Sequence, residues 1–371
     1  MSRRVLITGG AGFIGSHVTD LLLSSGYSVR VLDSLASQVH QDGTPPNYLD
    51  KEAELIVGDI RNRSEVDRAL AGVDAVVHLA AAVGVGQSMY EIASYTSTND
   101  LGTAVLLEAL ASRPVEKLVC ASSMSIYGEG LARRNDGTTV APQPRPIEQL
   151  RRGIWDVLDS DGTPLTPLPT PESKQPSLSS IYALGKYNQE RQCLIIGGAY
   201  GIPTVALRFF NVYGPRQSLS NPYTGVLSIF ASRLLNDRPP LIFEDGNQCR
   251  DFVHVQDVAQ ACKLALECRD GADDVYNIGS GECRSISSVA SDLARVTGRP
   301  RIAPQVTGKY RAGDIRHCFA DIGKARSRLG YVPKVDFEDG LARLAQWLAG
   351  QAAVDSVEAA TRELEERGLV A

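Results

Sequence analysis

The sequence predicts an α/β fold in which a doubly wound parallel sheet is joined to a smaller carboxyl-terminal α/β lobe. Three observations predict this class. An apolar run at residues 5–7 leads into a glycine-rich turn and a helical pattern, strand and helix patterns then alternate as far as residue 127, and short strands between loops follow residue 209. Repeated strand–helix alternation is typical of parallel sheets that carry their sites at the carboxyl ends of the strands.

The first strand ends in a glycine turn, V-L-I-T-G-G-A-G-F-I-G, in which Gly9, Gly12 and Gly15 have G-x-x-G-x-x-G spacing. Such a turn leaves backbone N–H groups unpaired at the positive end of a helix dipole, which suits a pyrophosphate. Asp33 ends the second strand, 18 residues beyond Gly15, where a carboxylate can accept a hydrogen bond from an adenosine ribose hydroxyl. Because this acid repels a 2′-phosphate, the pattern favours NAD over NADP.

Three further strands complete the predicted first half of the chain. A polar loop at 34–51 precedes strands at 54–59, 75–80 and 117–121, and helices are predicted at 66–70 and 92–112, the second carrying Asn99. The fifth strand runs directly into S-S-M-S-I-Y-G at 122–128. Polar side chains at this strand end are placed where ligands of such sheets bind.

A proline-rich insert at about 129–178 interrupts the alternation, and it is either a mobile surface excursion or a substrate lid. Residues 147–158 have the spacing of a short amphipathic helix, with Trp155 as its anchor. Regular patterns resume with a helix at 182–196 and a strand at 204–209. The predicted division is a dinucleotide-binding domain at 1–207 plus 251–278, a second lobe at 208–250 plus 279–350, and an exposed, charged helical tail at 351–371.

Composition limits the partners of the chain. With 371 residues, a net charge of −5 and 22% charged residues, the chain has no general attraction for nucleic acid or anionic membranes. We expect no membrane span, because no apolar run reaches about 18 residues, and no leader, so a cytoplasmic protein is predicted. The seven cysteines are scattered without a C-x-x-C pair, which argues against a disulfide framework and against a zinc site; no metal is expected.

Tyr182 and Lys186 are the strongest candidates for chemistry. They are four residues apart, so their side chains lie on one face of the predicted helix. A tyrosine with an ordinary pKa of about 10 is a poor base, but a neighbouring ammonium favours the phenolate and lowers that pKa. Such a tyrosine can take the proton of a sugar hydroxyl while a hydride leaves the carbon.

Together with these features, further motifs identify a family resemblance: G-D-I at 58–60, H-L-A-A at 78–81, S-S-M-S-I-Y-G, Y-A-L-G-K, R-F-F-N-V-Y-G-P-R, R-D-F-V-H-V-Q-D-V-A, N-I-G-S-G and R-A-G-D. The chain resembles the extended short-chain dehydrogenase/reductases of the NAD-dependent nucleotide-sugar epimerase/dehydratase family, over about residues 3–348. The resemblance implies a Rossmann sheet, bound NAD, a nucleotide-sugar substrate and a homodimer.

The resemblance also implies roles for individual residues. The expected catalytic residues are Ser123, Tyr182 and Lys186. The expected NAD contacts are Gly9, Gly12, Phe13, Ile14, Gly15, Asp33, Ser34, Asp59, Ile60, Leu79, Ala80, Ala81, Asn99, Ser122, Tyr182, Lys186 and Phe209. The expected substrate contacts are Gly84, Val85, Ser123, Ser125, Asn211, Arg216, Thr224, Phe243, Arg250, Arg311 and Asp314.

Departures from the family pattern narrow the reaction. Dehydratases of the family have an acid pair where this chain has Met124 and Ser125, and elimination needs such groups. The resemblance therefore favours inversion at C4 of a dTDP- or UDP-hexose, and the insert is similar to that of dTDP-L-rhamnose 4-epimerases. A UDP-glucose or UDP-glucuronate 4-epimerase, an NAD-dependent dehydrogenase or reductase, and a non-catalytic dinucleotide sensor are the alternatives.

Overall fold

A parallel sheet flanked by helices begins at the amino terminus of the structure, a computed structural model that describes residues 2–40, 42–221, 223, 225–269, 271–311 and 313–371. A π-helical turn, Ser97–Leu101, joins two of these helices, and a 3₁₀ turn, Met124–Tyr127, follows the fifth strand. The elements are β1 (Arg4–Thr8), α1 (Phe13–Ser24), β2 (Ser28–Asp33), β3 (Glu54–Val57), α2 (Arg63–Ala69), β4 (Ala75–His78), α3 (Val85–Ser88), α4 (Ile92–Thr96), α5 (Gly102–Ser112) and β5 (Lys117–Ser123).

The insert forms a small subdomain with a three-stranded sheet, and the rest of the chain alternates between the main sheet and the second lobe. The insert contains β6 (Ala132–Arg133), β7 (Thr139–Val140), α6 (Ile147–Arg151) and β8 (Thr166–Pro167). After it come α7 (Ile181–Tyr200), β9 (Thr204–Phe209), β10 (Asn211–Tyr213), α8 (Val226–Leu235), β11 (Leu241–Ile242), β12 (Cys249–Arg250), β13 (Phe252–His254), α9 (Val255–Glu267), β14 (Asp274–Ile278), β15 (Arg284–Ser285), α10 (Ile286–Val296), β16 (Gln305–Val306), β17 (His317–Cys318), α11 (Gly323–Leu329), α12 (Phe337–Leu348) and α13 (Val357–Glu366).

The main sheet has seven strands in the order β3-β2-β1-β4-β5-β9-β14, and all of its pairs are parallel. The chain moves outward in one direction from β1 to β3 and then returns to β4 on the other side of β1. This reversal opens a crevice at the carboxyl ends of β1 and β4, where ligands of doubly wound sheets bind. The predicted fold class is confirmed.

Helices cover both faces of this sheet. Val5 and Ile7 pack in one apolar cluster with α1 and α9, whereas Leu6 between them packs in a second cluster with α2 and α5. Successive strand residues point to opposite faces, so β1 is buried on both sides, as its uninterrupted apolar run requires. A third cluster lies in the second lobe, where α8, α10 and α12 pack together. No helix among the described residues is long and apolar enough to cross a membrane.

Buried charges join the insert to the second lobe. The Arg145 side chain, 2% exposed, lies 2.9 Å from Glu244 and 3.3 Å from Glu129. Arg316, 1% exposed, contacts the other oxygen of Glu244 at 3.0 Å and Asp245 at 2.6 Å, and its backbone N–H donates to Glu129 at 2.9 Å. Burying charges is costly unless each has partners, and this network supplies them.

The helix predicted at 147–158 is shorter in the structure than the sequence pattern predicts. The helix ends at Arg151, and Gly153 follows with a φ of +69°, a left-handed conformation that ends helices. Trp155 therefore lies beyond the helix, where its ring is 6.0 Å from that of Tyr310 and its carbonyl accepts from Arg145 at 2.9 Å. The insert is held by these contacts and the buried charges rather than by an amphipathic helix.

The tail, residues 351–371, is not the exposed helix that its composition predicts. Val357, Ala360 and Leu364 of α13 are buried, at the spacing of one helix face. Acidic residues on its other faces reach Arg233, which lies 3.0 Å from Glu358 and 3.3 Å from Asp355. The charges that make the tail look solvent-exposed in sequence are therefore used as ion pairs with the second lobe.

Two of the seven cysteines pair with each other, which the sequence argument against a disulfide framework did not anticipate. Cys249 of β12 and Cys283 are joined by a disulfide, with their Cα atoms 5.5 Å apart. They are 34 residues apart in sequence, and the antiparallel pairing of β12 with β15 brings them together. The other five cysteines are free.

We expect the Arg145→Met variant to lose about 3–5 kcal/mol of unfolding free energy, because it leaves buried carboxylates with one partner fewer. Urea unfolding measures the loss. Arg134→Met is the matched control, since Arg134 pairs with Asp159 at a far more exposed place in the same insert and exposed pairs contribute little. Equal stability of Arg145→Met and wild type would show that the network does not stabilise the fold.

Candidate active site

The glycine turn after β1 has the shape that a dinucleotide requires. Gly9 has a φ of +70°, and a Cβ there would lie 2.9 Å from the Ala80 nitrogen. A Cβ on Gly15 would lie 2.2 Å from the Gly9 oxygen. Gly12 is the N-cap of α1 and has no side chain with which to satisfy the N–H groups of the first turn, which begins at Phe13 and Ile14. The turn is thus a cradle that any side chain would fill, and it fits a pyrophosphate at the helix N-terminus.

Two acids lie at the ends of the neighbouring strands. The Asp33 carboxylate accepts from the backbone N–H of Ala11 at 3.0 Å and of Leu35 at 2.9 Å, so it ties the glycine turn to the end of β2, beside the exposed Ser34. Asp59 accepts from Arg61, whose guanidinium holds the pKa of that carboxyl below its usual range. These positions agree with the predicted ribose and adenine contacts, which remain proposals.

Asn99 fixes the loop after β4. Its amide accepts from the Ala82 N–H at 2.7 Å and donates to the Ala82 carbonyl at 3.1 Å. Asn99 lies in the π-helical turn, a distortion that is frequent at functional sites. The residue therefore holds the predicted cofactor-binding segment Leu79, Ala80 and Ala81 through its backbone. Ile60 packs beside Gly102, and a Cβ on that glycine would lie 2.6 Å from Ile60.

The candidate catalytic residues meet where β5 ends and α7 begins. Ser180 caps α7 by accepting from the Ala183 N–H at 3.1 Å, and the Tyr182 N–H donates to the Ser88 hydroxyl at 3.0 Å. The Tyr182 hydroxyl is hydrogen-bonded to Ser123. Ser123 in turn donates to the Ser125 hydroxyl at 3.1 Å. The arrangement brings a phenol and two hydroxyls into one cluster.

The pKa values in this cluster differ from the sequence prediction. Burial raises the pKa of Tyr182 above its ordinary value, while the hydrogen bond with Ser123 opposes that rise. Burial lowers the pKa of the Lys186 ammonium to about 8. The predicted lowering of the Tyr182 pKa is corrected here, because burial dominates and Lys186 donates to the Gln189 side chain at 2.7 Å.

Gln189 belongs to a buried polar chain that the sequence reading missed. Its amide donates to the Thr103 hydroxyl at 2.9 Å, and His78 lies between Thr103 at 3.0 Å and Thr8 at 2.7 Å. Burial lowers the pKa of His78 to about 3, so the ring is neutral and packs within β4. The spacing of Gln189, three residues after Lys186, was the signal that it shares the helix face of that lysine.

A buried ion pair anchors α7 to the sheet. Glu190 contacts Arg208 of β9 at 2.7 Å and accepts from the Ser122 hydroxyl of β5 at 2.7 Å. Ser122, a predicted cofactor contact, thus also positions α7. Phe209, the next predicted contact, follows Arg208 and is buried at the end of β9.

The structure brings several predicted substrate contacts together. Arg250 lies 3.5 Å from Asp314 and donates to the carbonyl of Arg316 at 3.0 Å. The Arg311 guanidinium is 5.7 Å from the Phe243 ring centroid. Among the described residues, the buried Arg311 Nε and the buried side-chain oxygen of Asn211 find no hydrogen-bond partner. Orphaned polar atoms at such a place suit a polar ligand.

Other predicted contacts have different surroundings. Gly84, with a φ of +146°, lies against the Tyr95 hydroxyl and Tyr223, and Val85 follows as the first residue of α3. Arg216, another predicted substrate contact, forms an ion pair with Asp20 of α1 at 2.8 Å. Thr224 lies outside the described residues.

Comparisons with known proteins agree with this geometry. The model of the NAD dependent epimerase/dehydratase family matches residues 5–149 and 161–279. A dTDP-L-rhamnose 4-epimerase of Burkholderia thailandensis is 36% identical over 353 residues, 94% of this chain and 95% of that protein. The solved UDP-glucose 4-epimerase of Thermotoga maritima with UDP-glucose has a TM-score of 0.76 at 32% identity, covering 93% of this chain and 98% of that one. The UDP-glucuronic acid 4-epimerase of Bacillus cereus, in complex with UDP-glucuronic acid and NAD, has a TM-score of 0.74 at 28% identity, covering 93% and 99%.

The chain therefore belongs to the NAD dependent epimerase/dehydratase family. It is an NAD-dependent epimerase, and the predicted family, enzyme class and cofactor are confirmed.

Two glycine variants distinguish the contribution of the turn to stability from its contribution to dinucleotide binding. Gly15→Ala should lower the unfolding free energy by about 1–3 kcal/mol, because its Cβ would meet backbone that cannot yield. Gly12→Ala has its nearest neighbour at 3.4 Å, so it should fold normally yet bind NADH about tenfold more weakly, since the methyl group covers the helix N-terminus. Thermal unfolding and NADH fluorescence titration measure both. Wild-type NADH affinity in Gly12→Ala would place the pyrophosphate elsewhere.

Proposed function

We propose that this enzyme inverts C4 of a nucleotide-linked hexose through a transient 4-keto sugar. The observation that carries the proposal is the buried cluster in which the Tyr182 phenol is hydrogen-bonded to Ser123, one helical turn before Lys186. The cluster lies at the carboxyl end of β5, at the same edge of the sheet as the glycine turn after β1, with β4 between the two strands. Bound NAD would be held by that turn and by Asp33, and it supplies a reversible hydride acceptor.

The protein's part in this reaction is to position the sugar and to move one proton. Burial raises the pKa of Tyr182, so the resting phenol keeps its proton until positive charge near it favours the phenolate. Lys186, with a pKa of about 8, is mostly an ammonium at neutral pH, but burial outweighs its effect on Tyr182 in this structure. It would favour the phenolate only together with the positive nicotinamide ring of bound NAD, and the phenol proton then leaves to solvent. Tyr182 then accepts the C4 hydroxyl proton and later returns it, while Ser123 donates a hydrogen bond to the same oxygen.

The nucleotide sugar is proposed to lie between the main sheet and the lobe of residues 208–250 plus 279–350. Arg250 with Asp314 suits a diphosphate and a ribose, because charge-assisted bonds from arginine are strong, and Phe243 beside Arg311 offers an apolar surface for a base. We propose a dTDP- or UDP-hexose, dTDP-L-rhamnose first, since relatives named for dTDP-L-rhamnose and for UDP-sugars align along nearly the whole chain. Met124 and Ser125 lack the acids that dehydration would need.

The Tyr182→Phe variant should reduce kcat by at least about a thousandfold, because it removes the proton acceptor, while NAD binding stays unchanged. The assay follows the interconversion of dTDP- and UDP-sugars by chromatography that separates the two C4 epimers, which have equal mass. Absorbance at 340 nm is recorded to detect NADH. Interconversion without NADH accumulation supports an epimerase. Stoichiometric NADH would instead support a dehydrogenase, and wild-type turnover by Tyr182→Phe would reject Tyr182 as the base.

We further propose a homodimer built on the outer faces of α5 and α7. These helices pack against each other, yet Leu184 and Ile195 of α7 are 40% and 58% exposed, and Leu101, in the π-helical turn that leads into α5, is 53% exposed. Large apolar side chains exposed on adjoining helices mark an interaction surface. We also propose a cytoplasmic location: five of the seven cysteines are free thiols, whereas the one disulfide, Cys249–Cys283, is of a kind that is uncommon there.

Sedimentation tests the dimer. Ile195→Glu should shift the protein to the monomer mass, because it places a charge in an apolar contact. Val332→Glu, which changes another exposed apolar residue outside these helices, should leave the mass unchanged. A dimer that survives Ile195→Glu would exclude this face.

A further inference from the structure

The tail, residues 351–371, crosses from the second lobe to the dinucleotide-binding half. On the lobe side, Glu365 pairs with Lys309. The backbone of Ala371 and that of Tyr310 exchange two hydrogen bonds, of 2.8 and 3.0 Å, and Arg311 pairs with Val370 in an antiparallel bridge. The end of the tail is therefore joined to Tyr310 and Arg311 by an isolated antiparallel bridge.

On its other side the tail reaches α3 and the segment that follows it. The Leu364 side chain packs on Gly86 of α3, at 3.4 Å from the position that a Cβ would take. The Arg367 guanidinium lies 4.1 Å from the centroid of the Tyr90 ring. Glu363 accepts from the Tyr223 hydroxyl at 2.8 Å. One helix thus contacts three separate segments of the chain.

These contacts converge beside two candidate substrate contacts. α3 begins at Val85, directly after Gly84, and Arg311 Nε lies 3.9 Å from the position that a Cβ on Gly86 would take. Leu364 and Arg311 therefore meet at the same glycine. Since the buried Arg311 Nε has no hydrogen-bond partner among the described residues, this guanidinium is held by backbone pairing and packing while its donor remains available to a ligand.

We propose that the tail is a working part of the nucleotide-sugar site: Leu364 and Val370 are positioning residues that hold Arg311 against α3 for contact with the nucleoside diphosphate. This inference rests on the proposed function, which assigns the diphosphate to this lobe. The tail's contacts go to Arg311, Gly86 and Tyr223, and none of them goes to Tyr182 itself. Because α3 also carries Ser88, which accepts from the Tyr182 N–H, kcat is measured beside KM to show whether the effect stops at nucleotide affinity.

A matched pair of variants tests the proposal in the full-length, NAD-loaded protein. Leu364→Glu places a carboxylate against Gly86, and Ala359→Glu places the same group on the exposed face of the same helix. UDP and dTDP are titrated by calorimetry, and kcat and KM are measured with the nucleotide sugar that the enzyme converts. We expect Leu364→Glu to weaken the binding of the nucleoside diphosphate about tenfold and to raise KM similarly, with kcat within about twofold and NAD affinity unchanged. Ala359→Glu should match wild type.

A charge exchange between two other residues of the same contact serves as a control, in case Leu364→Glu fails to fold. Lys309→Glu should weaken the binding of the nucleoside diphosphate, because the new carboxylate repels Glu365. The double variant Lys309→Glu with Glu365→Lys should restore most of the affinity. The proposal is overturned if Leu364→Glu binds as tightly as Ala359→Glu, or if the exchange gives no recovery. If wild type binds neither UDP nor dTDP and converts no nucleotide sugar, the proposed function itself fails, which is a different result.

Discussion

The buried ion pair between Glu190 and Arg208 is the interaction on which the site depends most. It joins α7 to β9, and the Ser122 hydroxyl adds a bond from β5. Although burial works against the charged form of Arg208, its hydrogen bonds to Glu190 raise its pKa above the ordinary value. Buried charges of this kind cost several kcal/mol to desolvate and persist where every polar atom is satisfied. With α7 held in this way, Tyr182 has one place relative to the strand end that carries Ser123.

A second constraint is the way the lobes are joined. The insert reaches the second lobe through Arg145, whose guanidinium contacts Glu244 and donates to the Asp314 carbonyl at 3.0 Å. The tail reaches the same lobe from the opposite end of the sequence, through the backbone of Tyr310 and Arg311. The insert, which the family model matches as far as residue 149 and again from residue 161, and the tail, which it does not match, therefore hold the neighbours of Arg311 and Asp314. Differences in substrate preference between relatives are expected to arise in such segments, because they surround the substrate while the cofactor cradle stays the same.

The pKa pattern of the site indicates a resting state in which proton transfer is held back. Burial raises the pKa of Tyr182 and lowers that of Lys186 to about 8, so each is shifted toward its neutral form. Moving either toward the charged form requires opposite charge or hydrogen bonds in the site.

Local patterns were sufficient to predict much of this protein. The strand–glycine turn–helix unit and Asp33 led to the parallel fold and to NAD, and the resemblance of the quoted motifs led to the epimerase family. The structure and the relatives confirm all three. These features are readable because each depends on residues close in sequence, where strand period, helix period and glycine conformation apply directly. The roles of individual substrate contacts remain proposals.

Other features depend on contacts between distant residues, which no local pattern contains. Trp155 lies outside a helix because Gly153 turns the chain, the Cys249–Cys283 bond exists because β12 meets β15, and Lys186 finds Gln189 within a chain of buried groups that ends at Thr8. The tail has the composition of an exposed helix, yet one face of it is buried. By itself, the sequence determined the fold class, the cofactor and the family. Only the tertiary structure decided which charges are buried and which segments border the substrate, because burial and ion pairing are properties of surfaces that meet after folding.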